Sequence, residues 1–172
     1  DVYADLWAEC WDESFVTDAP ILERYDEHPV GPEWTADTPL RRAKDRRNAQ
    51  AEIDVMVAMI LGVPIEDLCI IYRTQFAVLY DYDHGRGQGA YVYDANGRQV
   101  PTPVRRAWKK RQRPTSNEDM ALSERAHIHP GSGVPYVYDL PFRIRDRESD
   151  FRRIHAALTQ SSLGTGMHTT SV

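Results

Sequence analysis

The chain has 172 residues, 41% of them hydrophobic and 27% charged, with a formal net charge of -5 and two cysteines. This length supports one domain with a real core, and two cysteines are too few for a disulfide framework or a four-cysteine metal site. No stretch approaches the roughly 20 apolar residues of a membrane span, because Pro64 interrupts the longest candidate, Ile53 to Ile71.

The first residue is Asp1 rather than Met, so the chain is expected to be cut from a longer protein, and its acidic opening lacks the basic start and apolar run of a signal peptide. Cys10 and Cys69 read as buried free thiols, which points to a reducing, cytoplasmic setting. Charge is unevenly spread. Residues 1 to 37 hold eleven acids and one base, whereas residues 38 to 113 hold fourteen bases and eight acids. Either the acidic arm lies on the basic middle, or the middle faces an anionic partner.

Tyr3, Leu6, Trp7, Cys10 and Trp11 recur at helical spacing, predicting a docking helix from Val2 to about Glu13 with two indoles on its buried side. Prolines and acids from Thr17 to Asp37 predict an extended, wrapping connection with at most a short turn near Ile21 to Tyr25. Thr38 is the expected cap of a helix opened by Pro39. In that helix Ile53, Met56, Val57, Ile60 and Leu61 form the apolar face, so its second half is expected to be buried nearly all round. Gly62 supplies a left-handed stop, and Pro64 opens a second helix with Glu66 and Asp67 in its first turn and Leu68, Ile71, Tyr72 and Phe76 facing inward. Phe76 to Tyr82 leaves this helical hairpin as a packing or pairing segment.

The glycines of Asp83 to Gly89 lack the strand-then-helix context of a phosphate-binding fingerprint and read as a loop. Tyr91 to Tyr93 and Arg98 to Val100 flank Asn96-Gly97, predicting a β-hairpin with a type I′ turn. Val104 to Arg113 is a basic run, Pro114 to Asp119 a loop or disordered break, and Pro135 to Phe142 an aromatic strand. Asp146 is placed to cap a helix running to about Leu158, with Phe151, Ile154 and Leu158 inward, ahead of a mobile Ser/Thr/Gly-rich tail from Thr159. The expected fold is α+β, mostly helical, with a central helical hairpin and a small antiparallel β-hairpin or sheet. Residues 1–158 form one domain, divided at 37, 82 and 113, and 159–172 a flexible tail.

Two basic clusters stand out: Arg41, Arg42, Lys44, Arg46 and Arg47, then Arg105, Arg106, Trp108, Lys109, Lys110, Arg111 and Arg113. Bases neutralise phosphates and an indole packs on a sugar or base, so these are the candidate DNA-binding residues; a solvated face with helical ion pairs is the plainer account of each. His127 and His129 lack a third ligand at metal spacing and read as surface histidines. Glu52 and Asp54 fall on different sides of a helix, which predicts a buried acid paired with arginine rather than a carboxylate pair. No Gly-x-Ser-x-Gly elbow, Walker loop or Glu-x-Lys nuclease motif occurs, so no catalytic residue and no metal is assigned.

The run Arg46 to Ala58, then Leu61 to Leu68 and Ile71 to Phe76, resembles the C-terminal region of large bacterial adenine-specific DNA methyltransferases. These enzymes belong to restriction-modification and phage-defence systems, BREX-like and type IIG-like ones included. Tyr93 to Arg98, Pro141-Phe142 and Asp146-Arg147-Glu148 look like later landmarks in the same order, covering residues 1 to 158 and most specific from Arg46 to Arg98. The Asn/Asp-Pro-Pro-Tyr/Phe motif and cofactor loop of such enzymes are absent, since the chain contains no Pro-Pro pair. The resemblance therefore implies a non-catalytic segment that engages double-stranded DNA or reads its target. S-adenosylmethionine is expected only in the parent protein, whose methyltransferase domain becomes the segment's partner. The alternative is a structural docking module with no DNA contact.

Overall fold

Glycine and proline punctuate the chain where its backbone turns, and helices fill the intervals. In the computed structural model, which describes residues 2–11, 21–23, 31–87, 89–129 and 131–165 with side chains to 160, the helices are α1 (Val2–Cys10), α2 (Ala43–Ile60), α3 (Ile65–Gln75), α4 (Ala77–Asp83), α5 (Thr102–Lys110), α6 (Leu122–Arg125) and α7 (Arg147–Thr165). Strands β1 (Ala126–Ile128) and β2 (Pro135–Val137) pair antiparallel with His127 opposite Tyr136. With 53% of the described residues helical, the fold is α+β and mostly helical, as expected. No helix among the described residues is long and apolar enough to cross a membrane.

Gly62 takes φ +69°, and Pro64 stands at the N-cap of α3, so the predicted helix, turn and helix form. The first helix begins four residues later than Pro39. Thr38 spends its hydroxyl on the Thr35 N–H at 2.9 Å, within a separate turn, and extended Arg42 precedes the first turn of α2. The inward face of α2 is also rotated from the one expected. Lys44, Asp45, Arg47, Asn48, Ala51, Glu52, Val55 and Ala58 are buried, while Ile53, Val57, Ile60 and Leu61 are 54, 47, 83 and 71% exposed. Polar side chains occupy the interior because each has a partner there: Glu52 accepts the Leu22 N–H at 2.7 Å, and the Asn48 amide donates to the Glu23 carbonyl.

Two apolar cores result. One joins α2, α3 and α7 through Ala51, Val55, Cys69, Tyr72, Phe151 and Ile154, with Leu22 clipped into it. The other gathers Val92, Val100, Val104, Trp108, Met120, Tyr138, Leu140 and Phe142 around α5. Asp146 caps α7 by accepting the N–H groups of Glu148 and Ser149 at 3.1 and 3.2 Å, and Phe151 and Ile154 turn inward as predicted. That helix continues to Thr165, through the first half of the predicted tail; residues 166–172 lie outside the described ones.

Other expectations need correction. Phe76 is 55% exposed and Ile71 39%, while the segment after Phe76 is the helix α4, whose Leu79 and Tyr80 pack against the core of α2, α3 and α7 as expected. The Tyr93 and Gln99 bridge confirms the β-hairpin, but only Gly97 takes positive φ there, at +75°. The Gly97 N–H bonds the Asp94 carbonyl while the Asp94 carboxylate accepts the Asn96 and Arg98 N–H groups, an Asx-braced turn followed by a left-handed glycine. Tyr93 also bridges Arg143 on its other edge, which widens the hairpin. Asn117 orders the supposed break after Pro114 by accepting the Leu140 N–H at 2.8 Å within a single 3-10 turn, Asn117–Asp119. Helix α1 buries no residue, Cys10 is exposed, and Trp7 packs on Trp34 at 5.8 Å and donates to the Gly31 carbonyl. Within the Thr17 to Asp37 connection, residues 17–20 and 24–30 are outside the described residues.

Candidate functional site

The two basic clusters are divided by the helices that carry them. At 3.6 residues per turn, neighbouring bases cannot all face solvent. In α2, Lys44 and Arg47 point inward, the first bonding Glu23 at 2.9 Å and the second meeting the buried carboxylate of Asp150. Arg41 and Arg46 stay exposed and donate to backbone carbonyls of Ala36, Leu40 and Arg41; Arg42 reaches the Asn96 carbonyl at 2.6 Å. In α5, Val104, Arg105 and Trp108 are buried, with Arg105 donating to the Ala90 carbonyl and Trp108 to the Pro114 carbonyl. Lys44, Arg47, Arg105 and Trp108 are thus committed inside the fold and offer no open face to a phosphate.

The bases that remain outward on and beyond α5 are Arg106, Lys109, Lys110, Arg111 and Arg113. Burial, then repulsion from Arg105 and Arg113, lowers the Lys109 pKa, while its ammonium holds the Gly85 carbonyl at 2.9 Å. Arg111 pairs with Glu124 at 2.8 Å, and Arg113 lies 5.7 Å from the Trp108 ring centroid.

A groove of about 730 Å³ opens on the other core. Its lining follows α2 from Ala43 to Leu61, about 27 Å at 1.5 Å per residue. Along α2 the lining passes from Arg46, Arg47, Gln50 and Asp54 to Val57, Ala58 and Leu61, and Val63 and Leu68 continue the apolar end. Beside this lining a network centres on the buried Asp83 and Arg147. The Tyr72 hydroxyl donates to Asp83 at 2.9 Å, Arg147 donates to the same carboxylate at 2.6 Å, and Asp54 sits 3.6 Å from Arg147. Burial raises the Asp54 pKa, partly offset by Arg147, and burial raises the Tyr93 pKa to about 12. Asp54 lies beside an arginine, as do the buried Asp83 and Asp150.

Among the described residues no group of three His, Cys, Asp or Glu side chains could hold a metal, and His129 accepts the Ser132 N–H at 3.2 Å. The glycine loop serves packing: a Cβ at Gly89 would stand 2.4 Å from the Tyr82 ring, and one at Gly85 2.6 Å from Ile144. No protein family, curated relative or solved structure matches the chain. The groove went unread in the sequence because its apolar lining was assigned to the interior. Its signal was the overlap of that apolar face with Arg46, Gln50 and Asp54 on the same helix.

Proposed function

We propose that the chain is a non-catalytic, DNA-engaging segment of an S-adenosylmethionine-dependent, adenine-specific DNA methyltransferase of the restriction-modification or phage-defence kind. The observation that carries the DNA contact is the division of α5: Val104, Arg105 and Trp108 turn inward, leaving Arg106, Lys109 and Lys110 as an outward basic face. Such a face contacts phosphates without reading bases, so it positions the duplex rather than specifying its sequence. The resemblance of Arg46 to Phe76 and of the hairpin supplies the methyltransferase context. Cofactor and chemistry then belong to the methylase domain of the same parent chain, in the cytoplasm.

The test is anisotropy of a labelled 20-base-pair duplex titrated with the chain at roughly 50 to 200 mM salt. Affinity is expected to fall steeply with salt, and Arg106→Glu with Lys110→Glu to weaken binding about tenfold on every sequence and flatten the salt slope. Equal binding by parent and double variant at low salt would remove the DNA reading. A second reading, a docking module without DNA contact, is favoured by the exposed Ile53, Val57, Ile60 and Leu61.

A further inference from the structure

The groove along α2, lined over about 27 Å of helix, has the reach of a polypeptide segment. About 27 Å accommodates roughly eight extended residues or eighteen helical ones. Its two ends differ in chemistry. Toward Leu61 the walls are aliphatic and aromatic, and exposed Ile60 and Ile53 extend the apolar surface along the same helix. Toward Ala43 the lining holds Arg46, Arg47 and Arg147 with Asp54; Asp150 and Asp83 meet Arg47 and Arg147, and Arg46 meets only backbone carbonyls.

The arginines are not equally satisfied. Asp150 meets Arg47 through Nη1, so Arg47, itself 3% exposed, is buried with its countercharge. Arg46 gives Nη1 only to the carbonyls of Leu40 and Arg41, neutral acceptors that leave its charge uncompensated. An exposed guanidinium that bonds only backbone carbonyls favours a carboxylate from outside. We infer that this groove is a docking site for a segment of another protein domain, apolar along one half and acidic at the end that reaches Arg46. The inference is independent of the DNA contact, which uses α5.

The probe is a phage-displayed library of random 16-residue peptides selected on the immobilised full chain, with winners resynthesised carrying a fluorophore and measured by anisotropy. The expected winners combine a cluster of Leu, Ile, Phe or Val with two or more Asp or Glu to one side. Val57→Glu and Leu61→Glu, each at an exposed position, are expected to weaken them at least tenfold with an unchanged thermal melt. Arg46→Glu is expected to erase the preference for acidic over lysine-substituted peptides, and the Arg106→Glu, Lys110→Glu variant to bind them like the parent. That last arm separates this site from the DNA reading. Failure to enrich any sequence, or winners indifferent to both Val57→Glu and Leu61→Glu, overturns the inference. So does sedimentation showing a parent dimer that Leu61→Glu dissociates, since a second copy would then be the occupant.

Discussion

Arg147 has a 3% exposed side chain and depends on Asp83, which is fully buried, for its countercharge. Removing one partner of such a pair strands the other in a low-dielectric site, whatever the pair contributes when intact. Asp83→Ala is therefore expected to cost about 3 to 5 kcal/mol in denaturant melts, and a loss below about 1 kcal/mol would mean that Arg147 finds another acceptor. Glu66 offers a milder, pH-dependent case. Its bonds to Arg152 at 2.7 and 2.8 Å, which join α3 to α7, hold its pKa below the usual 4.5. A carboxylate lowered by folding stabilises above its unfolded pKa, and that contribution disappears as pH falls through the folded one. Acid titration of stability should thus be shallower in Glu66→Gln than in the parent below about pH 5, with the difference shrinking in high salt because the pair is exposed.

The elements differ in how plainly their residues announce them. Helix α7 was legible because an Asp cap and an apolar stripe agree: Asp146→Ala should cost about 1 kcal/mol, and Ile154→Ala, at a fully buried side chain, about 2 to 5 kcal/mol. In α2 the period was right and the face was wrong. Apolar spacing fixes which residues share a side but not which side finds a partner, and here Lys44, Arg47, Asn48 and Glu52 meet partners on α7 and the 21–23 clip. Ile60→Ala is accordingly expected to change the melt by less than about 0.5 kcal/mol, in contrast to Ile154→Ala. The three-residue strand β1 was invisible because Ala126, His127 and Ile128 show too little alternation to register, and its partner supplies the pairing. For the basic clusters, composition could mark the residues, but only helix phase decides which of them reach solvent.

At the scale of the whole molecule, the proposal of an accessory segment is tested by calorimetric titration with S-adenosylmethionine, which is expected to give no saturable heat; saturable micromolar binding would overturn it. Another consequence concerns the order in which the chain is made. Arg47 and Asp150 are 103 residues apart, and Phe151 and Ile154 complete the core begun by Ala51, Val55 and Leu22. A ribosome therefore releases α2 long before its countercharge and its apolar cover exist, and closure of that core awaits synthesis of nearly the whole domain. Nascent chains arrested before Arg147 should remain protease-sensitive through Ala43 to Tyr72, and protection should appear in one step once α7 has emerged.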